Sequence, residues 1–216
     1  MNLLEAAKNR KSGTLSKWEN YFREYDAYFA EYRDRPVRLM EIGVQGGGSL
    51  SMWKEYFPHA KIVGVDIDDC SRFATSDISI YQGDQADPVF LASIPGTFDI
   101  IIDDGGHTMR QQQVSFQHLF PRVNEGGMYV IEDLHTSYWP EFGGGYTMME
   151  FLKDLIDEMH DWARKSHRAS FFRGRLRHFH RAKLPVDNGI RSITFADSMC
   201  FIKKEHVEKG KQIKLS

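Results

Sequence analysis

The fold is decided by the stretch Phe98-Asp-Ile-Ile-Ile-Asp-Asp-Gly-Gly-His107, and a second stretch, Met128-Tyr-Val-Ile-Glu-Asp133, has the same pattern. Each stretch is a short apolar run that lies next to glycine and ends in acidic residues. Such runs are typical of buried parallel strands, whose carboxyl ends meet at one edge of a sheet. We therefore expect the acidic side chains of the two stretches to form a site together.

The composition is ordinary for a soluble protein with a single globular domain. The 216 residues are 41% hydrophobic and 27% charged, and the formal net charge of −2 gives no argument for a nucleic-acid or membrane partner. No apolar stretch is long enough to span a membrane, and no secretory leader is recognisable, so a cytoplasmic location is expected. Cys70 and Cys200 lack metal-ligand spacing, which argues against structural zinc and against a disulfide framework.

The first 35 residues predict a helical segment that packs on a main domain of residues 36–216. Residues 14–33 begin with a candidate helix cap, Thr14 or Ser16, and carry aromatic residues at helical spacing. Packing on the main domain is the favoured interpretation of these aromatic residues, and a lid that contacts substrate is the alternative. They are Trp18, Tyr21, Phe22, Tyr25, Tyr28 and Phe29.

Beyond residue 36 the chain alternates between strand-like and helix-like stretches. Strands are predicted at 37–43, 61–66, 78–82, 98–103 and 127–132, and helices at about 49–57, 88–94, 108–122 and 147–165. This order predicts an α/β fold with a doubly wound, mostly parallel sheet and a ligand site at the carboxyl ends of its strands. Residues 190–195 and 198–203 predict a C-terminal antiparallel hairpin.

A basic segment, residues 163–183, is the one strong charge bias in the sequence. Between Trp162 and Val186 there are eight lysines and arginines and three histidines, with no acidic residue. A solvated surface is the favoured interpretation. The alternative is a docking surface for an anionic group on a substrate or carrier.

A glycine-rich loop, Glu41-Ile-Gly-Val-Gln-Gly-Gly-Gly-Ser-Leu50, follows the first predicted strand and opens a helix. Its glycines do not have the GxGxxG spacing of dinucleotide-binding loops. Asp66, which ends the second strand, is placed to accept hydrogen bonds from ribose hydroxyls. Glu41 favours a cationic ligand over a pyrophosphate, and S-adenosylmethionine carries a sulfonium and no phosphate. Asp84 could accept from an adenine amino group or could serve only as a turn or cap residue.

Four stretches together, at 41–53, 83–85, 102–107 and 129–139, carry a family resemblance. The chain resembles the metal-dependent and S-adenosylmethionine-dependent sugar O-methyltransferases of macrolide biosynthesis, the macrocin and mycinamicin type, over about residues 37–155. The resemblance implies the class I methyltransferase fold, a Rossmann-like seven-stranded sheet with an antiparallel hairpin. It also implies magnesium-dependent methylation of a deoxysugar hydroxyl. The extra N-terminal domain of some members is not expected here.

The resemblance also implies roles for individual residues. Asp104, Glu132 and Asp133 would hold the metal, and His107 would be the general base. The cofactor would be bound by Glu41, Gly43, Gln45, Gly46, Gly47, Ser49, Asp66, Asp84, Gln85 and Asp103. The candidate substrate contacts are His135, Tyr138 and Trp139. Two positions depart from the family pattern: Gly106 stands where serine is expected, and His135 where a smaller or amide residue is expected.

The residue types support this chemistry independently. Neighbouring parallel strands are about 4.8 Å apart, so carboxylates at their ends can converge on one ion, and oxygen ligands suit magnesium first and manganese second. Adjacent strand residues point to opposite faces, so one of Asp103 and Asp104 is expected to reach the ion, and we choose Asp104. A vicinal diol of a sugar could chelate the metal while His107 removes the hydroxyl proton.

Three hypotheses about function remain open at this point. The first is a sugar O-methyltransferase. The second has a catechol-like acceptor, which offers the same two oxygens. The third is a protein that binds S-adenosylmethionine without turnover. The sequence does not fix the number of subunits, and a homo-oligomer is one option.

Overall fold

The computed structural model describes residues 1–160 and 189–206. Its strands are β1 Arg38–Ile42, β2 Lys61–Asp66, β3 Ile78–Gln82, β4 Phe98–Asp103, β5 Val123–Ile131, β6 Ile190–Ala196 and β7 Met199–Lys204. They form one seven-stranded sheet in the order β3-β2-β1-β4-β5-β7-β6. The first five strands are parallel, and β7 pairs antiparallel with both β5 and β6. The predicted doubly wound sheet with its C-terminal hairpin is confirmed.

The helices of the described part are α1 Leu3–Asn9, α2 Glu19–Phe29, α3 Gly48–Tyr56, α4 Pro88–Ser93, α5 Met109–Leu119 and α6 Met148–Met159. Side-chain caps explain where four of them begin, and at the start of α1 Asn2 forms a capping box with Glu5. Asp87 accepts from the backbone of Val89 at the start of α4, and Thr147 caps α6 in the same way. Thr108 forms a capping box with Gln111 at the start of α5, directly after the predicted site residue His107. None of the helices described is both long and apolar enough to cross a bilayer.

The central strands are buried on both faces, as their continuous apolar runs predict. Ile100, Ile102 and Val130 belong to the core on one side of the sheet. Ile101 and Tyr129 belong to the core on the other side. The rigid edge at the ends of β4 and β5 therefore rests on two packed layers.

Two element boundaries differ from the prediction. Strand β5 begins at Val123 rather than 127, and its register against β4 shifts between Phe98 and Ile100. Two consecutive glycines at 126 and 127 conceal the strand in the sequence, because glycine is depleted in strands. Helix α6 ends at Met159. The basic segment 163–183 lies outside the described residues, so its docking role stays a prediction.

The N-terminal residues differ more. The sequence did not predict α1, and α2 begins at Glu19 with Trp18 at its N-cap and no side-chain cap, so the expected cap at Thr14 or Ser16 was wrong. Four of the six aromatic residues are buried in the core, namely Tyr21, Phe22, Tyr25 and Phe29. Packing is therefore the role of most of the aromatic stripe. Trp18 is the exception, since it is 58% exposed.

The N-terminal segment lies directly on the glycine-rich loop. The backbone N–H of Thr14 donates to the carbonyl of Gly46 at 3.1 Å, and the N–H of Gly48 donates to the carbonyl of Thr14 at 3.2 Å. A Cβ atom at position 46 would lie 2.7 Å from Thr14 Oγ1, and one at position 48 would lie 2.4 Å from the Thr14 carbonyl oxygen. Glycine is therefore required at positions 46 and 48 by contact with Thr14, independently of any ligand.

Gly48→Ala tests this packing, because two effects of opposite sign compete. Alanine favours a helix over glycine by about 1 kcal/mol. The new methyl group would collide with backbone atoms of Thr14, which costs about 1–3 kcal/mol and should dominate. We expect the thermal unfolding midpoint of Gly48→Ala to fall by several degrees. Val89→Ala, on an exposed helix surface, is the control, and its free energy of unfolding should change by no more than about 0.5 kcal/mol. A midpoint raised by Gly48→Ala would contradict the contact.

Glu41 fixes the start of the same loop to α3. Its side chain is fully buried and accepts hydrogen bonds from Ser49 Oγ at 2.7 Å and from Trp53 Nε1 at 2.9 Å. Burial raises the pKa of Glu41 to about 7, although the charge of Lys17 and the two hydrogen bonds oppose this shift. The carboxylate therefore has a structural role in the loop.

The raised pKa of Glu41 makes stability depend on pH. Between pH 4.5 and about 7 the folded protein holds this proton and the unfolded chain has lost it, so Glu41 reduces the free energy of unfolding as the pH rises. Glutamine does not titrate; its Oε1 can accept from Trp53 Nε1, and its Nε2 can donate to Ser49 Oγ, so both contacts are kept with one of them reversed. As the pH rises from 4.5 to 8, the free energy of unfolding of Glu41→Gln should increase relative to that of the wild type by up to about 3 kcal/mol. Urea unfolding of both proteins measures this difference. Parallel pH profiles for the two proteins would reject this assignment.

Candidate functional site

A cavity of about 590 Å³ opens at the carboxyl ends of the parallel strands, within the range of small-molecule sites. One side of its wall contains the predicted cofactor residues Gly43, Gln45, Asp66, Asp84 and Gln85. The other side contains all four residues predicted to act on the metal and the proton, namely Asp104, His107, Glu132 and Asp133. The structure therefore brings the two halves of the predicted site together in one cavity.

Five of the predicted cofactor residues do not line this cavity: Glu41, Gly46, Gly47, Ser49 and Asp103. Glu41 and Ser49 are bonded to each other. Gly46 lies against the N-terminal segment, and a Cβ at position 47 would lie 2.5 Å from the Phe73 ring. Asp103 is fully buried. These residues lie behind the wall of the cavity, and their contact with the cofactor stays a prediction.

Asp66 holds the glycine-rich loop at the edge of the cavity. Its Oδ2 accepts from the backbone N–H groups of Val44 at 2.8 Å and Gln45 at 2.9 Å, and its Oδ1 accepts from Asp68 N at 3.0 Å. Three hydrogen bonds fix the carboxylate beside the cavity. This is the place where the sequence predicts a contact with ribose hydroxyls.

Asp84 and Gln85 lie on the same side of the cavity as Asp66. Asp84 Oδ1 accepts from Ala86 N at 2.7 Å, so the turn interpretation of Asp84 is correct even though the residue also lines the cavity. Gln85 donates to Asp103 Oδ1 at 2.9 Å and accepts from Gly106 N at 2.7 Å. Gln85 therefore holds both sides of the loop that carries Asp104.

Asp104, His107 and Asp133 form a half-buried cluster. His107 Nε2 lies 3.4 Å from Asp133 Oδ2 and 3.9 Å from Asp104 Oδ1, and the three potential ligand atoms lie within 4.8 Å of one another. His107 Nδ1 is buried and finds no hydrogen-bond partner among the described residues. Two carboxylates and an imidazole this close together can bind a divalent cation, and the carboxylate oxygens are ligands that suit magnesium, so the residues present fit a magnesium site.

Asp103 points away from this cluster. It accepts hydrogen bonds from Gln85 Nε2 and from Tyr129 Oη, and burial raises its pKa to about 7. Asp104, its neighbour, lies in the cluster. The alternation of adjacent residues therefore places Asp104 at the candidate metal position, as expected.

Backbone strain is also located at the cavity. The four non-glycine residues with positive φ in the described ranges are Gln45, His107, Asp133 and Ser198. The first three line the cavity, and Ser198 Oγ lies 2.5 Å from His135 Nδ1. Residues in this left-handed region carry a cost and are typical of functional sites.

Glu132 has a different environment from the other predicted metal ligands. Its side chain is buried, and its Oε1 accepts from Lys17 Nζ at 2.5 Å and also from Tyr25 Oη. Lys17 Nζ lies 2.9 Å from Asp104 Oδ2 as well. Burial and the charge of Asp104 raise the pKa of Glu132, whereas Lys17 lowers it. Burial alone would lower the pKa of Lys17, but the carboxylates of Asp104 and Glu132 raise it by more than burial lowers it. The pKa of Lys17 is therefore above its ordinary value, and the side chain stays an ammonium.

The sequence reasoning missed one wall of the cavity, which Ser16, Lys17 and Trp18 form. A single lysine ahead of an aromatic stripe gives no signal in a sequence. Its role becomes visible only when residues 87 and 115 positions away fold against it. Trp18 belongs to the aromatic stripe for which the sequence favours packing on the main domain and leaves a lid that contacts substrate as the alternative.

The three candidate substrate residues lie beside the cavity rather than in its wall. His135 Nδ1 is 4.0 Å from Asp133 Oδ1, and its ring contacts those of Trp18 and Trp139 edge-on, with centroids 6.1 and 4.6 Å apart. Tyr138 is 72% exposed. The aromatic groups therefore form a rim next to Asp133, which can contact a sugar ring.

The chain is similar in sequence to known methyltransferases. It is 40% identical over 205 residues to 8-demethyl-8-alpha-L-rhamnosyl tetracenomycin-C 2'-O-methyltransferase of Streptomyces olivaceus, which covers 87% of this chain and 51% of the relative. It is 47% identical over 150 residues to mycinamicin VI 2''-O-methyltransferase of Micromonospora griseorubida, which covers 62% of this chain and 38% of the relative. No protein-family model matches.

A solved structure of MycE methyltransferase from the mycinamycin biosynthetic pathway, in complex with Mg, SAH and mycinamycin VI, superposes with a TM-score of 0.79 at 35% identity. It covers 95% of this chain, which spans 54% of that protein. The chain therefore spans about half or less of the length of the proteins it matches. The resemblance carried by the sequence motifs is confirmed: this chain has the class I methyltransferase fold and is similar to the sugar O-methyltransferases of the mycinamicin and macrocin type.

Proposed function

We propose that this chain transfers a methyl group from S-adenosylmethionine to a hydroxyl of a sugar, with magnesium as the metal cofactor. One observation carries the proposal: a single cavity joins the glycine-rich loop and Asp66 to the cluster of Asp104, His107 and Asp133. The two halves supply a place for an adenosyl group and a place for a cation and a proton acceptor. A methyl transfer needs them side by side.

The charge of the cavity favours S-adenosylmethionine over a dinucleotide. Asp66, Asp68 and Asp84 all line the proposed cofactor half, and no lysine or arginine lines that half among the residues described. Carboxylates repel phosphate groups and attract ammonium and sulfonium groups. Gly43 and Gln45 complete this wall. Asp66 lies where its remaining lone pairs can accept from ribose hydroxyls.

Asp104 and Asp133 would hold the metal, and Glu132 would complete the set of three carboxylates. When bound, magnesium would polarise the acceptor hydroxyl and could chelate two neighbouring hydroxyls of one sugar ring. The sugar rather than the catechol is proposed as acceptor because the similar proteins are named for sugar positions. The rim of Trp18, His135 and Trp139 is suited to the face of a pyranose ring.

His107 is the proposed general base. It would take the proton of the acceptor hydroxyl while the oxygen forms its bond to the methyl carbon and the bond from that carbon to sulfur breaks. Nε2, which faces the carboxylates, would take this proton, and Asp133 Oδ2, 3.4 Å from Nε2, would then stabilise the imidazolium. Thr108 begins α5 directly after His107, so the capped helix fixes the position of the ring.

Isotope transfer tests the acceptor class. Protein supplied with magnesium and methyl-labelled S-adenosylmethionine should label mycinamicin VI or methyl α-L-rhamnopyranoside more than catechol, because the rim accommodates a sugar ring. Products are identified by mass spectrometry. Preferred labelling of catechol would favour the second hypothesis. Cofactor binding with no labelling of either class would favour a binding protein without turnover.

His107→Ala should lower kcat by about 10²–10⁴-fold, because the base is lost, while the Kd for S-adenosylhomocysteine stays within about threefold. His59→Ala is the matched control, since this histidine is exposed and remote from the cavity. An unchanged rate in His107→Ala would mean that another group, such as His135, accepts the proton.

Metal removal gives a separate test. Excess EDTA should abolish methyl transfer, and added magnesium or manganese should restore it, because three carboxylates without an ion repel one another and cannot polarise the hydroxyl. Initial rates with S-adenosylmethionine at saturation measure this effect. Full turnover in the chelator would reject the metal assignment and leave His107 as the sole activating group.

A further inference from the structure

We propose that the ammonium group of Lys17 is the resident counter-ion of the metal-free site and competes with the divalent ion for Asp104 and Glu132. The inference rests on the proposed metal site and adds a residue that limits the affinity of that site. It also links occupancy of the site to the N-terminal segment.

The contacts of Lys17 are those of a built cation site. Its Nζ lies 2.9 Å from Asp104 Oδ2 and 2.5 Å from Glu132 Oε1, and its side chain is only 1% exposed. The two carboxylates come from the ends of the adjacent strands β4 and β5. Tyr25 donates to the same oxygen of Glu132, and its ring centroid is 5.7 Å from Nζ. The ammonium therefore binds two of the three carboxylates that the metal would require.

Charge makes the two cations competitors. A lysine this deeply buried remains in place because the paired carboxylates offset its lost hydration. A divalent ion approaching Asp104 and Glu132 would meet a positive charge a few ångströms away, in an interior where Coulomb repulsion is poorly screened. Binding of the ion must therefore displace Lys17 or proceed against its charge. In either case Lys17 weakens the binding of the ion.

The contacts of Lys17 also connect the metal site to the N-terminal segment, which forms part of the cavity wall. Lys17 lies between Thr14, which pairs with the glycine-rich loop, and α2, whose Tyr21 Oη donates to Asp133 Oδ1 at 2.7 Å. Tyr21, Tyr25 and Lys17 thus reach all three carboxylates from one N-terminal segment. Ser16 and Trp18 beside Lys17 line the cavity. A metal that displaces Lys17 would therefore change the wall that faces the ligands.

Lys17→Met tests the proposal, because methionine keeps the aliphatic length and removes the charge. Manganese binding by titration calorimetry, without substrate, should be at least about tenfold tighter than in the wild type. In EDTA the variant should unfold at a lower temperature than the wild type, since two buried carboxylates lose their counter-ion. Added magnesium should then raise its unfolding temperature by more than it raises that of the wild type.

Two further variants complete the design. Lys17→Gln also removes the charge and should bind manganese more tightly than the wild type does. It serves as the test if Lys17→Met does not fold. Lys11→Met is the matched control, since Lys11 lies in the same segment, is 83% exposed and pairs only with Glu55 in the part of the chain described. Its manganese affinity should equal that of the wild type.

The results separate this inference from the proposed function. Equal or weaker manganese binding by both Lys17 variants, with methyl transfer intact in the wild type, would overturn the competition and leave the enzyme assignment standing. If neither the wild type nor the variants bind manganese or magnesium at millimolar concentration, the metal site itself is wrong and both proposals fall.

Discussion

The site depends on the register of β4 against β5. Asp103 pairs with Ile131, and the N–H of Glu132 donates to the carbonyl of Asp103 at 3.0 Å. This pairing brings the ends of two buried strands side by side, so that Asp104 and Asp133 emerge at the same edge. A slip of one residue would turn the acidic residues of one strand to the opposite face and separate the carboxylates. The apolar residues on both faces of the sheet fix the register.

The same arrangement concentrates negative charge, and much of the surrounding structure offsets it. Lys17 neutralises part of the charge on Asp104 and Glu132, and Tyr21 and Tyr25 donate to Asp133 and Glu132. These groups come from an N-terminal segment that also closes over the glycine-rich loop. We infer that the segment is part of the site, because both the loop and the carboxylates depend on its contacts.

The sequence predicted the elements whose signal is local. Apolar runs identified β4 and the end of β5, and the acidic residues after them predicted that Asp104, Glu132 and Asp133 lie close together. His107 was named by the family resemblance, and it lies in one cluster with Asp104 and Asp133. The sequence did not predict why glycine stands at positions 46 and 48. The reason is the close approach of Thr14, a residue distant in the chain. Lys17 was missed for the same reason. Burial against partners far away in sequence leaves no pattern near the residue itself.

The chemical half of the site illustrates the same limit. Alternation along β4 was sufficient to predict that Asp104 rather than Asp103 lies beside Asp133, because the direction of a side chain in a strand follows from its position. The environment of Glu132 could not be read in this way. Its carboxylate meets Lys17 and Tyr25, which come from another part of the chain, and only the fold shows that pairing.

The central claim is that the ends of β4 and β5 hold one divalent ion next to the adenosyl pocket. A crystal structure with manganese and S-adenosylhomocysteine, measured at a wavelength where manganese scatters anomalously, tests it most directly. We expect one anomalous peak in contact with Asp104 and Asp133, beside a cofactor bound near Asp66. Ordered carboxylates without such a peak at saturating manganese would contradict it.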